Sequence, residues 1–371
     1  MRNKNDIHLN PPSTPIWSMG LLTKIARVRL KNKPVPLMTH WEITYKCNLK
    51  CVFCTTRLHP SAWSPETTTD EALDIVDKIS AMGTKILNIV GGEPTNRSDL
   101  SIILKYARSK GIRIAITSHG VINDEKRSWL MEADVIRISL EGPEELNSTL
   151  RVAPEKYNAT NETIETLRYL VKNGRKPLIG TIFTSRTTDT DIVFLVGICR
   201  ELDIKMNLKL VVAYSFGDKM GGFSAQEAQL RAENTADICL PLDEGLRRIE
   251  KYRQKYSDCI TNGEPETDVL KSGGLEKIGC RSMDTALCLK ADGSVVLPCI
   301  EFPKHIVKSN NLSEVFFGKL ADRIRIEQGS YWFCNECQLS CMIHASALIS
   351  FKPLLKMARS YLSFSNIWRG F

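Results

Sequence analysis

The sequence predicts an α/β fold, a partial (β/α)6 parallel barrel followed by a cysteine-rich C-terminal extension. Three observations carry that expectation. Short apolar runs rich in Ile, Val and Leu alternate with amphipathic stretches of helical period. Six such strand-helix units, each of roughly thirty residues, fill the middle of the chain. Nine of the twelve cysteines fall in two groups, at 47–54 and 280–341.

The strand-like runs are HWEITYKC (40–47), KILNIV (85–90), RIAITS (113–118), VIRISL (135–140), LIGTIFT (178–184) and KMNLKLVV (205–212). Their near-continuous apolarity fits a parallel sheet covered by helices. Helices are predicted over 67–83, 97–111 and 161–174, each stopped by a glycine. Active sites on parallel barrels lie at the C-terminal ends of the strands. Cys47 follows the first strand and Gly91-Gly92-Glu93-Pro94 the second, while Ser118 and Ser139 close the third and fourth, so all mark one rim. The stretch 215–229 is Gly-rich and loop-like, and a helix is predicted over 240–256. LCLKADGSVVLPC (287–299) then reads as a hairpin turning at Asp292-Gly293. The chain accordingly divides into a basic amphipathic segment (1–37), a core (38–230), a linker helix with a cysteine-rich domain (231–345) and a basic amphipathic tail (346–371).

Composition bounds the function. At 43% hydrophobic and 25% charged the chain is an ordinary globular one. No apolar run approaches the roughly 18–20 residues of a membrane span. No apolar signal-peptide core precedes the early prolines, so a cytoplasmic protein is expected. Cytosolic thiols stay reduced, and clustered cysteines there mean metal. The formal net charge is +8. Residues 1–36 carry seven Lys/Arg against one Asp, and 342–371 carry four Lys/Arg and no acid, which leaves the body close to neutral. A near-neutral body without interleaved aromatic and basic stretches argues against nucleic acid as a partner.

Cys47, Cys51 and Cys54 pack three soft ligands into eight residues. Three thiolates can hold three irons of a 4Fe-4S cluster and leave the fourth open, and an open position marks a reactive metal centre. A zinc knuckle completed by a distant His or Cys is the alternative. The Cys47-x3-Cys51-x2-Cys54 spacing, with Phe53 before the last cysteine, resembles the defining motif of the radical S-adenosylmethionine (SAM) family. The resemblance runs from about residue 38 to 212. It implies that SAM chelates the open iron and is cleaved by one electron to a 5′-deoxyadenosyl radical that abstracts hydrogen from substrate. It also implies that Phe53 lies against the adenine. Gly91, Gly92, Glu93 and Pro94 resemble the family's GGEP element, in which the carboxylate accepts from the methionine ammonium. Ser118, Ser139 and Arg151 are similar to residues that bond the ribose or carboxylate of SAM. A reductant such as flavodoxin or ferredoxin is implied as a partner.

The second group resembles the auxiliary-cluster extensions called SPASM or twitch domains. Cys280, Cys299, Cys334 and Cys337 match best and imply one auxiliary 4Fe-4S cluster, with Cys288 or Cys341 able to replace one of them. A four-thiolate zinc site from the same residues is the alternative.

The basic ends add a substrate expectation. Ile16, Trp17, Leu21, Ile25 and Val28 fall at helical spacing among Lys24, Arg27 and Lys31, and 347–371 has a similar character. Such segments lie in membrane interfaces. The expected function is therefore radical hydrogen abstraction from an unactivated C–H bond of a lipid or isoprenoid, peripheral on a membrane. A SPASM-type peptide maturase is the second reading, although only about forty residues precede the first strand. A zinc protein that binds nucleic acid is the third.

Overall fold

A computed structural model describes residues 19–54, 65–155, 157–211, 233, 235–262, 270–271, 275, 279–300, 303–331, 334, 340–347 and 349. Residues 1–18, the loop 215–229, Cys337 and the tail beyond 349 lie outside the described residues, as does the side chain of Cys341.

Helix α1 (Met19–Lys31) leads into β1 (Met38–Thr44), whose seven residues are all buried. The cysteine loop follows and contains a two-residue strand, β2 (Lys50–Cys51). Helix α2 (Thr69–Met82) starts on a capping box in which the Thr68 hydroxyl accepts from Glu71 N–H and the Glu71 carboxylate accepts from Thr68 N–H. Gly83, at φ 111°, ends it in a conformation that favours glycine. Ala72, Ile75, Val76 and Ile79 form its buried stripe, at the three-to-four spacing the sequence displays.

The alternation then continues with β3 (Ile86–Gly91), α3 (Leu100–Ser109), β4 (Arg113–Ser118), α4 (Asp124–Leu130) and β5 (Val135–Ser139). Next come α5 (Glu144–Leu150), the short β6 (Arg151–Val152), α6 (Ala159–Lys172), β7 (Leu178–Phe183), α7 (Asp189–Glu201) and β8 (Lys205–Leu210). Strands β1, β3, β4, β5, β7 and β8 neighbour one another in that order and all run parallel. Strand alternation divides their side chains. Trp41, Ile89, Ile116, Ile138, Phe183 and Leu208 face the helices and are at most 2% exposed. Burying each contributes about 1.5–3 kcal/mol. The opposite, inner face mixes polar His40, Asn88, Thr117, Arg137 and Lys209 with apolar Met38, Ile86, Val90, Leu178 and Ile182.

After α8 (Leu242–Lys255) and the single turn α9 (Ser282–Thr285), the predicted hairpin forms as β9 (Ala286–Leu289) and β10 (Val295–Pro298). Gly293, at φ 82°, makes the turn. The hairpin continues the barrel's own sheet: β9 runs parallel beside β1, from Met38↔Ala286 to Trp41↔Leu289, and β11 (Pro303–Val307) pairs outside β10. The whole is a nine-stranded sheet ordered β11-β10-β9-β1-β3-β4-β5-β7-β8. Trp41 Nε1 donates to the Lys290 carbonyl at 3.1 Å, and Lys290 Nζ meets Glu42 at 2.8 Å, both buried. Helices α10 (Leu312–Phe317), α11 (Lys319–Glu327) and α12 (Ser340–Ala347) complete the extension.

Helix α1 buries Ile25 and Val28, and Lys24 Nζ donates to the Gly83 carbonyl at 2.8 Å. Those apolar positions therefore pack on the body. No helix among the described residues is long and apolar enough to cross a membrane.

Candidate active site

The cysteine loop is fixed at both ends. At its start the Thr44 hydroxyl donates to Glu66 at 2.6 Å and Tyr45 N–H donates to the same carboxylate oxygen. Further on, β2 pairs antiparallel with β6, setting Cys51 opposite Arg151, and Val52 N–H donates to the Leu150 carbonyl at 3.0 Å. Leu49 plugs into a small cluster with Val121 and Ala159. Cys47 is exposed as a residue, yet desolvation by the surrounding loop pushes its thiol up to about 12, and Glu93, Cys51 and Cys54 add to the rise. Burial also raises Cys51, against the Arg151 charge.

Arg151 is the centre of the charged part of the site. Its Nη2 donates to Glu141 Oε1 at 2.7 Å, its Nη1 lies 3.6 Å from Cys51 Sγ, and its guanidinium carbon stands 5.1 Å from the centre of the Phe53 ring. Glu141 is fully buried. Burial opposes the Arg151 charge, but Glu141 and Cys51 together hold its pKa above the ordinary arginine value. Phe53, Cys51 and Arg151, separate in sequence, are thus brought into contact.

The GGEP segment is packed against the same loop. A Cβ on Gly91 would stand 2.4 Å from the Thr44 carbonyl oxygen, and one on Gly92 would stand 2.4 Å from that of Lys46. Gly92 N–H and Glu93 N–H donate to these same two carbonyls at 2.8 Å. The close approach that requires glycine here is to the cysteine loop's own backbone. Glu93 is fully buried and caps the short turn Pro94–Asn96, accepting from Thr95 N–H, the Thr95 hydroxyl and His119 N–H. His119 Nδ1 accepts from Val121 N–H, so its hydrogen lies on Nε2, 3.0 Å from Asn48 Oδ1 and 3.3 Å from Glu93. Asn48 in turn donates to the Val121 carbonyl. Burial lowers His119, keeping the imidazole neutral.

The two serines differ. Ser139 ends β5 on the inner face, whereas Ser118 ends β4 with the helix-facing parity and its hydroxyl accepts from Gly120 N–H at 3.1 Å. Asn48, Glu66 and Glu141 were not among the residues singled out in the sequence. Asn48 alone had a local signal, its place directly after Cys47.

In the extension, Cys288, Cys299 and Cys334 share a buried cluster with Leu246, Leu275 and Val296, and Cys280 packs against it. Burial pushes the Cys334 thiol up to about 11, and the neighbouring Cys280 adds to this. The Ser282 hydroxyl lies 3.2 Å from Cys280 Sγ. Cys299 and Cys334, with Cys288, thus lie in one apolar cluster and Cys280 against it, while no three Cys, His, Asp or Glu side chains among the described residues are grouped closely enough to hold a metal ion; Cys337 lies outside the described residues.

The radical SAM superfamily profile matches residues 41–195. That stretch, 155 of the chain's 371 residues, is a radical SAM domain. Over 175 residues it is 30% identical to an AdoMet-dependent heme synthase of Oleidesulfovibrio alaskensis, covering 45% of each chain. Over 125 residues it is 35% identical to a mycofactocin maturase of Mycobacterium ulcerans, covering 32% of this chain and 33% of that one. The chain thus spans less than half the length of these curated relatives. Its fold resembles that of Streptococcus suis SuiB bound to precursor peptide SuiA, with a TM-score of 0.62 at 20% identity, over 90% of this chain and 77% of that one.

Radical SAM enzymes use SAM and a 4Fe-4S cluster, and the residues of this site fit both. Three thiols lie on one loop, the donor type and number that suit an iron–sulfur cluster, although no three such side chains among the described residues are yet grouped closely enough to hold a metal ion. Beside them Arg151 offers a buried guanidinium and Phe53 an aromatic face, partners for a carboxylate and an adenine.

Proposed function

We propose that this radical SAM enzyme abstracts hydrogen from an unactivated C–H bond of a polar substrate held against the inner face of the sheet. The observation that carries the reading is the contact of Cys51, Phe53 and Arg151, which puts a soft-metal ligand, an aromatic plane and a buried cation within one side chain of each other. When bound, the cluster and SAM supply one-electron reductive cleavage to a 5′-deoxyadenosyl radical, with the electron from a flavodoxin- or ferredoxin-type donor. Cys47, Cys51 and Cys54 would hold the cluster. Arg151 and Ser139 would orient the SAM carboxylate, and Phe53 would lie against its adenine. Glu93, Asn48 and His119 would position the loop, with Gly91 and Gly92 allowing it to seat; the Glu93 carboxylate would also face the methionine ammonium. Ser118 would serve the rim through its turn. Cys280, Cys299, Cys334 and Cys337 would hold an auxiliary cluster.

The inner face favours the second of the two substrate readings. Arg137, Lys209, Asn88 and His40 put charge and hydrogen-bonding groups among its apolar residues, which suits a peptide or another charged substrate better than an isoprenoid. The heme synthase and mycofactocin maturase among the relatives add to that preference. The membrane reading rests on the basic ends, and Ile25 and Val28 of α1 already pack on the body. Flotation of the full chain with anionic liposomes, lost on deleting 346–371, would restore the lipid substrate.

The radical chemistry is tested by anaerobic reconstitution with SAM and dithionite. Nucleoside release and iron per chain are measured before and after replacing Cys47, Cys51 and Cys54 together by Ala. Release that persists in the triple variant would overturn the reading.

A further inference from the structure

The cysteine loop leaves β1 at Thr44 and ends at Thr68, the cap of α2. Cys47, Cys51 and Cys54 all lie between, so whatever fixes these two ends fixes the frame in which the thiols sit. Glu66 provides one hold, through Thr44 and Tyr45. A second comes from Arg97, 4% exposed, which ends the GGEP turn and donates its N–H to the Pro94 carbonyl at 3.0 Å.

The Arg97 guanidinium reaches both ends of the loop. Nη1 donates to the Ile43 carbonyl of β1 at 3.2 Å and to the Thr67 hydroxyl at 3.0 Å. Nη2 donates to the Thr67 carbonyl at 2.8 Å and to Asp99 Oδ2 at 3.1 Å, and Nε donates to Asp99 Oδ1 at 2.7 Å. All five donors that a guanidinium carries are thus used. Asp99, which neutralises it, is tied to α2 by the Thr69 hydroxyl at 2.7 Å. Lysine cannot reproduce this fork, since its three donors radiate from one atom.

The C-terminal extension grips the same two ends. Thr67 N–H donates to the Ala291 carbonyl at 2.9 Å, and Ala291 N–H donates to the Tyr45 hydroxyl at 3.4 Å. Ala291 is fully buried in the β9–β10 turn. Beside it, a Cβ on Gly293 would stand 3.2 Å from Thr67 Cγ2. Thr67 therefore commits its carbonyl and hydroxyl to Arg97 and its N–H to the extension. These holds are additional to the pairing of β9 with β1, which runs only from Met38 to Trp41.

We propose that Arg97 and the β9–β10 turn are the two jaws of a clamp that positions the cluster-bearing loop. Arg97 is a positioning residue that acts through Ile43 and Thr67. The extension thereby helps set the geometry of the N-terminal cysteines. The loop's role as cluster holder rests on the radical SAM reading above. A loop whose ends are already fixed has less freedom to lose when it takes up iron.

The test uses the full chain carrying Arg97→Lys, Gly293→Ala or Thr67→Val. Gly174→Ala is the control, for Gly174 has φ 78° against 82° at Gly293 but nothing within 4 Å of its Cβ position. Before reconstitution, alkylation of Cys51 by iodoacetamide is followed by peptide mass spectrometry. Arg97→Lys and Gly293→Ala each speed it at least about fivefold, and Thr67→Val, which keeps both main-chain bonds, less. After anaerobic reconstitution, the reduced protein is examined by electron paramagnetic resonance without and with SAM. The signal that shifts with SAM reports the open cluster, and in the first two variants it falls to half or less. Near-ultraviolet dichroism matching the wild type shows that the fold is kept; should one variant not fold, the other two decide. Unchanged alkylation in the folded variants, a SAM response kept at the wild-type level, or an equal rise in Gly174→Ala would overturn the clamp. Wild-type protein whose signal never responds to SAM would remove the radical reading, while the alkylation rates still judge the clamp.

Discussion

Arg151 answers the buried Glu141 carboxylate and also stands beside Cys51 and Phe53. Arg151→Met would leave Glu141 charged and unmatched in the interior, at a cost of about 3–5 kcal/mol. Urea denaturation would show the loss, and Arg151→Met/Glu141→Met should recover most of it. A single variant as stable as the wild type would count against the pair's structural weight. His40 gives a second prediction, on pH. Its pKa falls from 6.5 to about 4 on folding, so between these values only the unfolded chain takes the proton. Stability from this group is complete above pH 6.5 and declines as pH falls towards 4, by about 3 kcal/mol. His40→Gln should flatten that part of the denaturation profile measured from pH 7 to 4. At this scale the cysteines were legible because their chemistry is written in local spacing. Glu141 was not, because its partner is ten residues away and meets it only after α5 has turned the chain back.

The loops that carry the site are placed by elements whose boundaries the sequence displays. All six parallel strands lie within three residues of the apolar runs, since a strand covered on both faces has few polar interruptions to blur it. Less visible was what the glycines are for. Gly92 gives way to the Lys46 carbonyl, a rigid backbone atom, so Gly92→Ala must push the cysteine loop outward. It should cost about 1–3 kcal/mol and lower iron per chain after reconstitution. Gly111 is the control: at φ 70° with nothing within 4 Å of its Cβ position, Gly111→Ala should cost about 1 kcal/mol and leave iron content unchanged. Equal iron loss in the two variants would show that the close approach is not what seats the loop. A motif reveals that small residues are needed; only the folded chain reveals which neighbour needs them.

Across the whole molecule, the extension and the barrel are one sheet joined at β1. The Glu42–Lys290 pair spans that joint with both side chains buried. Lys290→Met alone should destabilise by about 3–5 kcal/mol, while Glu42→Met/Lys290→Met should come close to the wild type. Thermal unfolding of the wild type should follow one transition over 38–345 by both near- and far-ultraviolet dichroism. Two separated transitions would mean that the hairpin docks without being part of the core. The hairpin itself was readable from its Asp292-Gly293 turn, but its docking edge was not, because pairing across some 245 residues leaves no periodic trace in either segment.

That same joint sets an order of events during synthesis. Trp41 and its neighbours are made first, and the segment that covers their edge is translated only 248 residues later, as the pairing Trp41↔Leu289 shows. Until then the nascent polypeptide exposes main-chain donors and acceptors along β1. At elongation rates of about 5–20 residues per second that interval lasts roughly 12–50 seconds, long enough for a chaperone to be the first occupant of that position.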